Sequence, residues 1–176
     1  MSSERAWDLV LFDLDGTLLE TSPEIMDAVN DTMDSCGLAP VSQEQVNAWI
    51  GRGTRELLAQ ALAWIWQEDI AAVRVSERFE AIEHLFSGHY ARRCGTFPAR
   101  KPDPVGVESC LRDFRTRRER ALFVGDSAID VATARNAGVQ VWALPYGYNM
   151  GEPIESCSPD RVIADFSALR AASQTA

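Results

Sequence analysis

No stretch of this 176-residue chain approaches the roughly 18 consecutive apolar residues that a membrane-crossing helix needs. The longest apolar run is about Ala61–Trp66. Basic side chains are scarce: 17 against 26 acidic ones, for a net charge of −9. A general nucleic-acid binder meets phosphates with a basic face, so nucleic acid is not the expected partner, and neither is a membrane. A small anionic substrate would need a local positive site, such as a metal ion. Cysteine is sparse and unpaired in pattern. Cys36, Cys94, Cys110 and Cys157 lie far apart and form no CxxC, which reads as free thiols in a reducing cytoplasm. Met1 to Asp8 lacks the basic-then-apolar order of an export signal, which adds to the cytoplasmic expectation. His84 and His89 are five apart, not the four that align two ligands on a zinc helix, and they read as surface or packing residues. There is no internal repeat and no low-complexity tract.

What is present is a globular composition, 46% apolar and 24% charged, at a length suited to one domain carrying an insertion. Leu9–Phe12 is short, fully apolar and suited to a buried parallel strand, and it runs straight into Asp13-Leu14-Asp15-Gly16-Thr17. A long helical tract follows, over 18–92. Ser22-Pro23 reads as N-cap and first helical residue, with Ile25, Val29, Met33 and Cys36 on one face. Ser42 to Gln45 is a capping-box pattern before Val46, Trp49 and Ile50. Gly51-Arg52-Gly53 breaks the chain, and Thr54 is placed to cap the helix carrying Leu57, Leu58, Leu62, Ile65 and Trp66. A last helix carries Phe79, Ile82, Phe86 and Tyr90. These stripes read as the core of a helical bundle.

After Pro98 the pattern turns to α/β. Lys101-Pro102-Asp103-Pro104 opens a helix with Val107, Leu111 and Phe114 on its face. Ala121–Val124 is a second apolar strand ending in Gly125-Asp126-Ser127, and a helix to Ala137 stops at Gly138. Val139–Leu144 and Arg161–Ile163 read as the third and fourth strands. The expected fold is therefore a Rossmann-like α/β parallel sheet, formed by 1–17 and 93–176, with an all-helical insertion over 18–92.

Two of these strands end in aspartate, Asp13 and Asp126. In an open parallel sheet, ligands sit beyond the carboxyl ends of the strands. If the strands are neighbours, Asp13, Asp15, Asp126 and Asp130 meet in one crevice. Carboxylates so close raise one another's pKa, and a hard divalent cation, Mg²⁺ by expectation, relieves the repulsion. Lys101 adds a fixed positive charge, and Gly16 leaves room for the backbone to approach an anion. A nucleophilic carboxylate, a second carboxyl for proton transfer, a metal and a lysine together suit phosphoryl transfer through an aspartyl phosphate. Each piece alone has a plain alternative: DxDG as a turn, GDSxxD as acidic helix caps, KPDP as a turn.

In this order, FDLDGTL, a helical insertion, KPDP and GDSAID resemble the haloacid-dehalogenase-like hydrolase superfamily. WIGRGTREL, LFVGDS and PYGYNMGEPIESCSPDRVI are similar to phosphoglycolate phosphatases, and the resemblance spans Asp8–Phe97 and Arg100–Leu169. It implies that Asp13 is the nucleophile, that Asp15 is the general acid and then base, and that Lys101 steadies the negative charge. It implies that Mg²⁺ is held by the Asp13 side chain, the Asp15 backbone carbonyl and Asp126, with Asp130 and Ser127 in support. Gly16 and Thr17 are placed at the substrate. Arg52, in the cap loop, is a candidate partner for a glycolate carboxylate, a solvated surface arginine being the alternative. The implied substrate is a small phosphorylated metabolite, 2-phosphoglycolate first. Asp15 argues against dehalogenation, which needs the nucleophile without this acid/base partner; a phosphomutase stays open.

One family motif is missing: a Ser or Thr at the end of a further strand between cap and KPDP. Only Cys94–Arg100 occupies that interval, and Thr96 follows no apolar strand. About two βα units, roughly 50–60 residues, are absent. Without them Leu9–Phe12 becomes an apolar sheet edge, which invites a homodimer. The alternative function is thus an internally deleted member that binds metal or self-associates without turnover.

Overall fold

The computed structural model describes residues 6–94 and 99–174. The chain divides into two compact units, Met1–Leu19 with Pro98–Ala176, and Glu20–Phe97. The sequence places these boundaries at 17/18 and 92/93. Leu18 and Leu19 stay with the first unit because their N–H groups donate to the Leu14 carbonyl, while Gly16 N–H donates to the Leu19 carbonyl. No helix among the described residues is long and apolar enough to cross a membrane.

The second unit is all helix: α1 Ser22–Ser35, α2 Gln43–Trp49, α3 Thr54–Trp66, α4 Ile70–Arg74 and α5 Glu77–Cys94. Its core is the set of apolar stripes read from the sequence. Val29 and Met33 of α1, Val46 of α2, Leu58 and Leu62 of α3, and Phe79 and Phe86 of α5 are fully buried. The Ser42–Gln45 capping box is present. Two caps shift by one residue. Thr21, not Ser22, is the N-cap of α1, because the Ser22 hydroxyl donates to Glu20 at 2.5 Å; Gly53, not Thr54, precedes α3. Helix α4 was not expected. Asp69 starts it by accepting the N–H groups of Ala71 and Ala72.

The first unit is a parallel sheet, β1 Leu9–Phe12, β2 Ala121–Gly125, β3 Gln140–Ala143 and β4 Arg161–Val162, in the order β1-β2-β3-β4. Helices α6 Val105–Asp113, α7 Ala128–Ala137 and α8 Ser167–Gln174 belong to the same unit. Alternation along the strands sends side chains to two faces. Phe123, Val141 and Leu11 pack with Val107 and Leu111 of α6 and Ala134 of α7. Leu122, Val124, Trp142 and Val10 pack with Leu169 of α8. Phe114 departs from expectation: it is exposed because α6 ends at Asp113, so the helical spacing from Leu111 no longer applies. All of β2 is buried, whereas Phe12 on β1 is 41% exposed. β1 is the edge of the sheet, as the shortened core implies. Its outer row of backbone groups meets no strand among the described residues.

Beside β3, the Asp160 carboxylate accepts the Val141 N–H at 2.7 Å and Arg135 Nη1 at 3.0 Å. Partial burial pushes its pKa up, but these donors outweigh that effect and hold it below the usual carboxylate range. Its contribution is therefore present above the unfolded value of 3.8 and is lost as pH falls through the lower folded value. Asp160→Ala is expected to lower stability by about 1 kcal/mol near neutral pH, discounted for exposure. In urea melts the difference from wild type should shrink as the pH falls below that unfolded value.

Candidate active site

The site follows from strand register. Phe12 pairs with Val124, and the Asp13 N–H donates to the Val124 carbonyl at 2.8 Å. Adjacent parallel strands thus deliver Asp13 and Asp126 to the same, carboxyl end of the sheet. One oxygen each from Asp13, Asp126 and Asp130 lies within 4.8 Å of the others, and Asp126 and Asp130 are almost fully buried.

Each carboxylate is fixed by named donors. Lys101 Nζ bridges Asp13 Oδ1 and, at 2.6 Å, Asp130 Oδ1. Thr17, itself buried, donates its hydroxyl to Asp126 Oδ1 at 2.5 Å and stands 3.4 Å from Asp13 Oδ2. The Tyr148 N–H donates to Asp126 Oδ2 at 2.5 Å. Asp130 Oδ2 takes three donors at the start of α7: the Asp126 and Ser127 N–H groups and the Ser127 hydroxyl, at 3.2, 3.1 and 2.6 Å. Asp130 is therefore tied up by Lys101 and the α7 N-terminus. Asp13 and Asp126 retain more oxygen lone pairs for a ligand.

Two glycines make this packing feasible. Gly16, at φ +83°, leaves no room for a Cβ, which would lie 2.7 Å from both Asp126 Oδ2 and the Tyr148 ring. A Cβ on Gly147 would collide with the Asp126 carboxylate.

Burial, then the neighbouring Asp130 charge, raises the Asp13 pKa, with Lys101 pulling the other way. Burial is also the largest influence on Asp126. With the Asp130 and Asp13 charges it outweighs the Thr17 and Tyr148 hydrogen bonds and carries the group to about 7. Lys101 is pulled down by burial but pushed up further by Asp130 and Asp13, so it stays charged.

The fold thus brings Asp13, Gly16, Thr17, Lys101, Asp126, Ser127 and Asp130 together. The Asp15 carboxylate is not one of the three that cluster. Arg52 is exposed in the helical unit, between α2 and α3. Thr96 lies outside the described residues. The sequence reading gave no role to Gly147, Tyr148 or Asn149, whose side-chain oxygen accepts the Ala128 N–H at 2.9 Å. Their signal was positional: they follow β3, whose carboxyl end faces the same crevice.

Two family models match, one described as haloacid dehalogenase-like hydrolase over residues 10–92 and one as HAD-hydrolase-like over residues 98–169. Phosphoglycolate phosphatase 1 of Pseudomonas aeruginosa is 32% identical over 211 aligned residues, covering 92% of this chain and 78% of that protein. The chain belongs to the haloacid dehalogenase-like hydrolases. The phosphoglycolate phosphatase of Vibrio cholerae is 30% identical, over 92% of this chain and 94% of the relative. Among solved structures of the fold, one titled as a predicted phosphoglycolate phosphatase from Haemophilus somnus superposes with a TM-score of 0.72 at 24% identity. It covers 94% of this chain and 97% of that one. CbbY from Rhodobacter sphaeroides, solved in complex with phosphate, gives 0.63 at 18% identity, over 96% and 99%.

The Pseudomonas alignment spans 211 positions, yet 92% of this chain is about 162 residues. About 49 positions of that family relative therefore have no counterpart here, close to the length of two βα units.

Replacing Lys101 by Met leaves the Asp13 and Asp130 carboxylates without their cation. Lys101 is 34% exposed on its side chain, so the loss should fall short of that for a fully buried pair, at about 2–3 kcal/mol. Urea denaturation of wild type and Lys101→Met in a metal-free buffer measures it.

Proposed function

We propose that this hydrolase acts on a small phosphomonoester, 2-phosphoglycolate first, with Asp13 as nucleophile. The observation that carries the reading is the placement of Asp13 at the carboxyl end of β1, touching Lys101 and within reach of Asp126. Resemblance to phosphoglycolate phosphatases over 92% of this chain supports the substrate.

The donor set fits a hard divalent cation. Asp13 and Asp126 supply close carboxylate oxygens, and burial together with the neighbouring Asp130 charge makes their joint ionisation unfavourable. Mg²⁺ bound there by Asp13 and Asp126, with the Asp15 carbonyl in the proposed set and Asp130 behind them, would neutralise phosphoryl oxygens.

The chain's own residues do the rest. Lys101 orients Asp13 and favours its ionised form against burial and the Asp130 charge. An Asp13 oxygen bonds to phosphorus as the bond to the ester oxygen breaks, and Asp15 gives that oxygen its proton. Asp15 then takes a proton from the water that attacks phosphorus and frees Asp13. Gly16 leaves the backbone open beside the phosphoryl group. Thr17 and Ser127 hold Asp126 and Asp130 in place. The reading places the enzyme in the cytoplasm, in keeping with Cys36, Cys110 and Cys157 as free thiols.

The second reading, a member that binds metal without turnover, is favoured by the roughly 49 missing positions and by β1, whose outer side meets no strand among the described residues. A panel of phosphomonoesters assayed with Mg²⁺ distinguishes the two. Turnover by wild type that falls at least about 10³-fold in Asp13→Asn is the expected result. Turnover that persists in Asp13→Asn would sink the aspartyl-phosphate mechanism. A folded wild type with no turnover would instead favour the second reading.

We also propose that two copies pair through β1, since an edge strand is self-complementary about a two-fold axis. Sedimentation velocity should show a dimer that dissociates when Leu11 is replaced by Pro or Lys. A monomer at all concentrations would contradict the pairing.

A further inference from the structure

Basic side chains are scarce in this chain, yet five of its 17 fall within residues 112–120: Arg112, Arg115, Arg117, Arg118 and Arg120. Only Asp113 and Glu119 offset them within that segment. The segment links α6 to β2, so it sits at the amino end of β2. Asp126 lies just past the other end, roughly 15 Å away by strand rise. Four of the arginines border an open depression in the surface, a cavity of about 480 Å³, together with Glu108 and Glu119. That volume falls in the range of small-molecule sites, about 300–1,000 Å³.

Ordinary structural duties account for part of this cluster. Arg120 pairs with Asp8 at 3.0 Å and is not in the cavity. Arg118 pairs with Glu108 at 3.1 Å, and Arg112 donates to Ser109 at 2.9 Å. Cations near the end of α6 also complement its dipole, which covers Arg112. Arg115 and Arg117 are left over. Both are exposed, and neither side chain has a partner among the described residues. Arg115 also stands at φ +52°, where the chain turns out of α6 with the Thr116 N–H on the Leu111 carbonyl at 2.9 Å. That left-handed position suits glycine, yet a long cationic side chain occupies it.

We propose that this cavity binds a small anion carrying two linked phosphate groups. A guanidinium presents paired donors that match phosphate oxygens. The lining holds four arginines against two glutamates, and Arg118–Glu108 is already a neutral pair. Arg112, Arg115 and Arg117 therefore face the cavity against Glu119 alone. Three guanidinium groups offer more paired donors than a single phosphate group can engage with its oxygens, and a diphosphate supplies more acceptors. The site is separate from the carboxylate cluster and does not rest on the proposed phosphatase reaction. The chain's overall negative charge repels anions at long range, so binding depends on local contacts and weakens with salt.

Inorganic pyrophosphate is the probe, titrated by calorimetry with a chelator present so that no metal draws it to the carboxylates. Saturable one-to-one binding is expected, at least about tenfold tighter than orthophosphate or succinate. Arg115→Gln/Arg117→Gln should weaken it at least about tenfold while leaving the thermal midpoint unchanged, because both side chains are exposed. ADP tests the source of the diphosphate: competition with pyrophosphate admits nucleotides, and exclusion restricts the site to the inorganic ion. Absence of saturation, equal affinity for succinate, or unaltered affinity in the double variant would overturn the proposal.

Discussion

Lys101 and the three carboxylates it joins or neighbours are the interaction on which the rest of the first unit turns. Asp13, Asp126 and Asp130 share a small volume at the carboxyl end of two adjacent strands. Like charges so placed cost energy, and burial adds to the cost. The protein offsets it with directed donors: Lys101 between Asp13 and Asp130, the Thr17 hydroxyl and Tyr148 N–H on Asp126, and the α7 N-terminus on Asp130. Gly16 and Gly147 leave room for this packing. Those donors leave oxygen lone pairs on Asp13 and Asp126, the two carboxylates to which the proposed reading gives the site's chemistry.

The same constraint clarifies what the shortened core costs. The register of β1 against β2 is enough to bring Asp13 beside Asp126, so the carboxylate cluster survives with β1 as the sheet edge. What a strand on the open side of β1 would add is a further wall and further hydrogen-bond donors for the phosphoryl oxygens. In comparable sites, one such donor is worth about 10²–10³ in rate. On the proposed reading, cation binding and catalytic rate are therefore separable properties of this chain. The first depends on β1, β2 and α7, and the second on what stands beyond β1.

Much of this was legible in the sequence, for identifiable reasons. Leu9–Phe12 and Ala121–Val124 are apolar throughout and end in aspartate, so both strands and the convergence of Asp13 with Asp126 could be read directly. The stripes Ile25-Val29-Met33 and Phe79-Ile82-Phe86 have helical period, so the bundle core was visible too. The misses came where local pattern competes with nearby contacts. Phe114 has the spacing of the α6 face, but the helix stops one residue before it. Ser22 looks like a cap, but its hydroxyl goes to Glu20. Tyr148 reaches Asp126 through a backbone N–H, which no side-chain pattern announces.

On the proposed reading, Asp13 and Asp126 form a cation site to which Asp126 contributes a principal ligand. Isothermal titration of Mg²⁺ into the purified, metal-free protein tests it most directly. One ion per chain should bind, and Asp126→Asn should weaken binding at least about tenfold with the fold intact by circular dichroism. No saturable binding by a folded wild type, or equal affinity in Asp126→Asn, would contradict the account.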